Sequence, residues 1–201
     1  MLGRAAAGIW VVLAFVVLTA VDLIGVQAGR DQTKPAAAVP TIVRLPSGLQ
    51  LNRMPMGPAR TEVALAPDGR FLVFSATPDG TMAKAMLYRR PLDREEATVI
   101  PGTEAACMPF FSPDGQWIGY WAKGRLLKVA VKGGAPVAVC DLPSRPVGIC
   151  WGSDGRIIFG TLDVAGGGLW RVPAEGGKIE RLTTVDASKE VAHGLPHLLP
   201  G

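Results

Sequence analysis

A strand–turn–strand motif that recurs along the chain constrains its fold more than any other feature. In the copy at 110–121, two apolar runs flank Pro113-Asp114-Gly115. Pro fixes φ at about −65°, Asp bonds to its own backbone and Gly accepts a positive φ, so these residues predict a tight turn. The flanking residues alternate with a period of two, which is typical of strands rather than of a helix. The motif therefore predicts a β-hairpin.

The same motif occurs at 63–74 and at 148–159, so the turn aspartate recurs every 40 to 46 residues. A second landmark, a strand that begins with leucine, recurs at Leu87, Leu126 and Leu169 and is followed each time by a turn and a short fourth strand. Four strands in such a period match one β-propeller blade. We therefore predict an all-β fold, a partial β-propeller of about three four-stranded blades and the start of a fourth, preceded by one N-terminal transmembrane helix.

The residues that mark the repeated turns are the signature residues of this chain: Pro67, Asp68, Gly69, Pro113, Asp114, Gly115, Asp154 and Gly155. Carboxylates in an array suggest acid–base catalysis when they lie close together. Here each aspartate occupies the same turn of a different blade, so turn chemistry explains all three. We predict no catalytic residues, no cofactor and no metal site.

The predicted transmembrane helix rests on a run of 17 uncharged residues, 5–21, which apolar residues extend to 26. Such a run suits a short membrane span better than a signal-peptide core. Residues 1–28 are therefore predicted to be a membrane anchor, or alternatively a signal segment cleaved after Ala28. On this prediction residues 5–26 contact the membrane, and the protein is a single-pass cell-membrane protein with its propeller on the periplasmic side.

The rest of the chain divides into a linker with an opening strand, 29–57, and the propeller repeats, 58–201. The opening strand is predicted at 41–45. We place the repeats at about 58–103, 104–143 and 144–184, with an incomplete one at 185–201. Because Gly201 stands where the next turn aspartate is expected, we expect the sequence to be a fragment of a longer protein.

Short motifs within these repeats resemble the TolB-like, or WD-repeat-like, propellers of bacteria. They resemble most closely the extracytoplasmic propeller of bacterial receptor-type serine/threonine kinases. The matching segments are 43–48, 101–104, 109–117, 133–136, 140–141, 151–152, 169–172, 176–177 and 182–184. The resemblance implies the propeller fold, whereas function varies widely among proteins of one fold.

We predict a membrane-anchored, non-catalytic binding or sensory module for a protein or peptide partner. One alternative is the extracytoplasmic sensor part of a bacterial serine/threonine kinase. No kinase motif occurs in the 201 residues, so the chain is not expected to be a kinase itself. A second alternative is the propeller of a prolyl-oligopeptidase-type peptidase, whose hydrolase domain would follow Gly201.

Other chemistry-bearing residues give weaker signals. The net charge of +4 comes from scattered Lys and Arg, so we expect no nucleic-acid partner. Of the three cysteines, Cys140 and Cys150 could pair, although buried free thiols fit the pattern better. His193 and His197 share one face of a strand without a third ligand, so we expect His193 to pack or to hydrogen-bond.

Aromatic and basic residues recur at strand positions. The aromatic residues are predicted to fill the space between blades rather than to line a ligand surface. They are Trp117, Tyr120, Trp121, Trp151 and Trp170. The basic residues of the third strands are predicted to form a solvated outer face, or alternatively a charged rim for a partner. They are Arg89, Arg90, Lys128 and Arg171.

Overall fold

The computed structural model describes residues 44–52, 62–161, 167–186 and 188–198. These residues belong to one compact unit, 42–201. They form three antiparallel sheets in chain order and one three-residue 3₁₀ turn, Met82–Lys84.

Each sheet takes its strands from one stretch of the sequence. The first sheet contains β1 (Gln50–Leu51), β2 (Val63–Leu65), β3 (Phe71–Thr77), β4 (Met86–Pro91) and β5 (Thr98–Val99). The second contains β6 (Cys107–Phe111), β7 (Trp117–Ala122), β8 (Arg125–Ala130) and β9 (Val137–Asp141). The third contains β10 (Ile149–Trp151), β11 (Arg156–Gly160), β12 (Leu169–Pro173) and β13 (Glu180–Arg181). Three consecutive four-strand meanders confirm the all-β part of the prediction.

The turns between the first two strands of each meander are built alike. In the second sheet, Gly115 has φ 67° and its N–H donates to the Ser112 carbonyl at 2.9 Å. The Asp114 carboxylate accepts the Gln116 N–H at 3.0 Å. Asp68 and Asp154 accept the N–H two residues ahead in the same way, at 3.0 and 3.1 Å. The side chain thus closes the turn locally, as expected for aspartate in such positions.

The first sheet differs from the others because β1 and β2 pair with the same edge of β3. The change of partner falls at Ser75, whose N–H donates to the Glu62 carbonyl and whose carbonyl accepts the Asn52 N–H. The Ser75 hydroxyl donates to the Ala106 carbonyl at 2.7 Å, just before β6. This buried serine therefore joins the first sheet to the second.

Apolar residues fill both spaces between consecutive sheets. The cluster between the first and second sheets contains Phe71, Val73, Leu87, Ile118, Tyr120 and Val129. The cluster between the second and third contains Phe110, Trp121, Leu126, Ile157, Phe159 and Val172. Because successive side chains of a strand point to opposite faces, the second sheet contributes to both clusters. The three sheets are stacked face to face like neighbouring blades.

The loop between β3 and β4 extends beyond its own sheet. Its Met82 packs against the cluster between the second and third sheets. The Arg145 guanidinium, in the connection that leads to β10, donates to the Met82 sulfur. The same guanidinium lies 5.2 Å from the Trp121 ring centre. The loop of the first sheet therefore contacts the connection between the second and third sheets.

The membrane helix, and the membrane localisation that follows from it, are corrected. In the residues that the structure describes, no helix is long and apolar enough to cross a membrane. The run 5–26, on which both predictions rest, lies outside those residues. The prediction used only the length and apolarity of that run, which meet the criterion for a span whatever structure the run adopts. The fold class supported by the described residues is all-β, without a transmembrane helix.

The opening strand also differs from the prediction. Residues 41–43 lie outside the described residues, and Arg44 and Leu45 are not in a strand. The first described strand is β1, which comes after the turn at Pro46–Leu49, where the Leu49 N–H donates to the Pro46 carbonyl at 3.1 Å. Leu45 and Leu49 instead pack against the outer face of the first sheet, beside Phe74.

Candidate functional site

A groove runs along the first strands of the three meanders, β2, β6 and β10. These strands lie next to one another, and among the described strands each is paired on one edge only. The groove has a volume of about 440 Å³. It is lined by Val63, Ala64, Leu65, Pro109, Phe110, Phe111, Ile149, Cys150, Trp151, His197 and Leu198.

The side chains that line the groove are mostly apolar, and the groove is partly open to solvent. Leu65 is 59% exposed and Leu198 43% exposed, although both are large hydrophobic side chains. Phe110 and Trp151 form a tilted aromatic pair with ring centres 6.0 Å apart on the groove wall. Contiguous exposed apolar surface of this kind marks interaction sites on folded proteins.

A bulge in β6 shapes the wall of the groove. Pairing between β6 and β7 shifts between Cys107 and Phe110, and Met108 has φ 57°, which is unusual for a residue other than glycine. The Met108 N–H turns away from β7 and donates to the Glu62 carboxylate at 3.3 Å. The bulge thus connects β6 to the residue just before β2, on the neighbouring sheet.

Burial disfavours the reactive form of the Cys140 and Cys150 thiols. The possible disulfide between Cys140 and Cys150 is not formed. Burial raises the pKa of the Cys150 thiol in the groove. Burial, with a smaller effect of the Asp141 charge, raises the pKa of Cys140 to about 11. Since the thiolate is the reactive form, neither residue is a nucleophile at neutral pH.

The two histidines have separate environments. His193 Nδ1 lies 2.6 Å from the Thr183 hydroxyl, and Nε2 lies 2.9 Å from the Glu190 carboxylate. The Thr183 oxygen accepts the Leu169 N–H at 2.9 Å, so its hydroxyl proton is available for Nδ1. His193 therefore hydrogen-bonds as expected, whereas His197 lines the groove. No group of three metal-ligating side chains occurs among the described residues.

The signature residues lie in the three turns, on three different sheets, and the structure does not bring their carboxylates together. Hydrogen bonds from the Ser112 hydroxyl and the Gln116 N–H lower the pKa of Asp114. Asp68, Gly69 and Gly115 also border a second cleft, between the first and second sheets. The repeated turns thus border the cleft but not the groove.

The predicted aromatic packing is confirmed in the second sheet. Tyr120 is 1% exposed and Trp121 is 9% exposed. The Trp121 indole N–H donates to the Leu142 carbonyl at 2.9 Å, which satisfies the polar edge of a buried ring. Burial raises the pKa of Tyr120 to about 12, with a smaller effect of the Glu104 charge. Trp151 has both predicted roles, since it packs on the cluster and lines the groove.

The prediction of a solvated outer face is wrong for two of the four basic residues. Arg90 and Lys128 are each only 3% exposed. Lys128 Nζ lies 4.7 Å from the Trp117 ring centre and 2.8 Å from the Glu175 carboxylate. Arg171 pairs with Glu180 at 2.9 Å at the edge of the third sheet. The third sheet covers Lys128 through Glu175, whereas Arg90 Nε donates to the Glu95 carbonyl of its own sheet at 3.3 Å.

Solved structures offer the comparisons for this chain. No protein-family model matches it, and no curated protein matches it. It is similar to a chain of the nidogen/laminin complex, with 15% identity over 67% of this chain and 49% of that chain, at a TM-score of 0.51. It is similar to a putative TolB from Agrobacterium tumefaciens, with 19% identity over 59% of this chain and 47% of that chain, at 0.49. It is also similar to TolB from Acinetobacter baumannii, with 16% identity over 58% of this chain and 33% of that chain, at a TM-score of 0.43.

The similarity to the chain of the nidogen/laminin complex supports the β-propeller fold. The chain spans about half, or less, of the length of these three solved chains. At such low identity the likeness concerns the fold and not the function.

Proposed function

We propose that this chain is a non-catalytic β-propeller module that binds a peptide segment of a partner protein in the groove along β2, β6 and β10. The observation that carries the proposal is an open groove with mostly apolar side chains, on strands that each pair on one edge only within the described part of the chain. Such edges offer backbone hydrogen-bonding groups, and neighbouring apolar pockets select side chains, which is how extended peptides are recognised.

The chemistry of the groove favours binding over catalysis. Its titratable side chains are Cys150, whose pKa is raised by burial, and His197. Two exposed aliphatic side chains, Leu65 and Leu198, flank the aromatic pair and provide a surface for apolar anchors. A protein partner also agrees with one solved structure of this fold, which is of the nidogen/laminin complex.

The two alternatives drawn from the sequence concern further domains and not another use of the groove. In a kinase sensor or in a peptidase propeller, the same module would accompany a catalytic domain. In-frame kinase motifs upstream of Met1, or a nucleophile elbow downstream of Gly201, would select one of them.

A peptide selection on the full chain tests the proposed function. Random peptides displayed on phage are enriched on the wild-type protein and then measured against Leu65→Glu. The matched control is Val137→Glu on β9, since Val137 is 47% exposed and lies outside the groove lining. We expect Leu65→Glu to weaken binding by about tenfold or more, which corresponds to about 1.4 kcal/mol, and Val137→Glu to leave it unchanged.

A second readout locates the bound peptide. Trp151 is half-buried in the groove wall, so bound peptide should change its fluorescence, and Trp151→Phe should remove that change. The proposal is wrong if no enriched peptide binds the purified chain. It is equally wrong if the two glutamate variants lose binding to the same extent.

A further inference from the structure

A second cleft lies between the first and second sheets, apart from the proposed peptide groove. It has a volume of about 680 Å³ and is bordered by four basic side chains, Arg70, Arg89, Arg94 and Lys132. Its two acidic side chains already have local partners. The Asp68 carboxylate accepts the Arg70 N–H at 3.0 Å, and the Asp93 carboxylate lies 3.4 Å from Arg94 Nε. The cleft is therefore positively charged.

Arg89 is the most constrained of these cations. Its guanidinium carbon lies 4.2 Å above the centre of the Phe71 ring. Its Nε is buried and has no hydrogen-bond partner among the described residues. A buried donor without an acceptor is costly, and the cost is larger for a charged group. The geometry of Arg89 calls for an anionic oxygen.

The next interface along the chain shows how the same position is satisfied. Arg89 stands opposite Val73, two residues after Phe71, and Lys128 stands opposite Gly119, two residues after Trp117. Each cation lies over the aromatic ring of its own sheet. The two residues are therefore equivalent, and Lys128 has what Arg89 lacks, because its ammonium lies 2.8 Å from the Glu175 carboxylate.

The residue equivalent to Glu175 explains the difference. Glu175 precedes Gly176-Gly177 in the turn after β12, and Lys132 precedes Gly133-Gly134 in the turn after β8. All four of these glycines have positive φ, so the two turns have the same type of backbone conformation. Lys132 also borders the cleft that contains Arg89. Where one interface has a carboxylate opposite its cation, the other has a second cation.

We propose that the cleft between the first and second sheets is a binding site for a carboxylate carried by another molecule, namely an acidic side chain of a peptide. The carboxylate takes the place that Glu175 occupies in the following interface. Arg89 donates to it through its planar guanidinium, already oriented on Phe71, and Lys132 adds a point charge at the rim. The site goes beyond the proposed function, since it lies outside the apolar groove.

Whether a carboxylate stabilises this cleft can first be tested without a ligand. Lys132→Glu should supply it internally, and Lys132→Gln is the neutral control. In low salt we expect the glutamate variant to melt about 2 to 4 °C above the glutamine variant, with a smaller difference in 1 M NaCl. Lys178→Glu, at another exposed lysine, controls for the lower net charge and should show no such gain over Lys178→Gln. A Lys132→Glu variant no more stable than Lys132→Gln overturns the proposal.

The ligand arm uses acetyl-Glu-Glu-Glu-amide and inorganic phosphate, titrated calorimetrically into the full chain. We expect the triglutamate peptide to bind, Lys132→Glu to weaken it at least about tenfold, and Leu65→Glu to leave it unchanged. That last variant separates this site from the groove, so either proposal can fail alone. Absence of triglutamate binding overturns the assignment, and so does phosphate binding as tight as that of the peptide.

Discussion

Replacing Gly119 by alanine tests how tightly the Phe110 ring, in the groove wall, packs over β7. Gly119 lies directly opposite Phe110 in the pairing of β6 with β7. A Cβ at Gly119 would lie within 2.7 Å of three carbons of the Phe110 ring, and Cβ atoms essentially never approach closer than 3.0 Å. The ring cannot move freely, since Phe110 is 8% exposed and packs against Trp151.

The cost of the substitution follows from this clash. Overpacking a well-packed core costs about 1 to 3 kcal/mol. For a chain of this size, 1 kcal/mol lowers the melting temperature by about 2 to 4 °C. We therefore expect Gly119→Ala to lower it by about 2 to 12 °C. Urea unfolding followed by far-UV circular dichroism and tryptophan fluorescence measures the free energy of unfolding directly.

A double-mutant cycle isolates the ring as the cause. Phe110→Leu removes the aromatic carbons that the new methyl group would meet. In that background we expect Gly119→Ala to cost less than half of what it costs in the wild type. An equal loss of unfolding free energy in both backgrounds would refute the reasoning, because the penalty would then come from the strand and not from the ring.

Three further predictions concern charged and thiol groups. Glu175→Ala should destabilise the chain by about 1 to 3 kcal/mol, more than Lys128→Met, because it leaves a buried ammonium without its carboxylate; urea unfolding of both variants checks the order. The pKa of Asp114 is lowered in the folded state, so its contribution is present above the unfolded value of about 3.9 and is lost as the pH falls through the folded value. Asp114→Asn should therefore flatten the decline of melting temperature at acid pH. Cys140 and Cys150 have raised pKa values, so iodoacetamide at neutral pH should label them slowly in the folded chain and rapidly in urea, as mass spectrometry would show.

The turn chemistry made the strands predictable. Pro113-Asp114-Gly115 and its copies mark hairpins through purely local interactions, such as the bond from the Gln116 N–H to Asp114. The short fourth strand predicted for each repeat is found as β5, β9 and β13. Local periodicity is thus sufficient for the order of the strands and for the division into three sheets.

The burial of Lys128 could not be predicted in the same way. From the sequence, a lysine on a strand is predicted to face solvent. Only the packing of the third sheet shows that Lys128 is covered and that its ammonium lies 2.8 Å from the Glu175 carboxylate. The groove was missed for a similar reason. Leu65, Trp151 and Leu198 are far apart in the sequence. They line one groove only because the first strands of the sheets lie side by side and residues 197–198 lie against them. Long-range stacking, rather than propensity, decides both features.

The reach of Met82 to Arg145 has a consequence for how the chain melts. In repeat architectures whose units contact only their neighbours, stability is a sum of unit and nearest-interface contributions, and the ends can fray independently. Met82 adds a contact from the loop of the first sheet to the connection between the second and third sheets. Opening of the segment before β10 therefore exposes the loop of the first sheet to solvent as well, so hydrogen exchange at the two places should rise together.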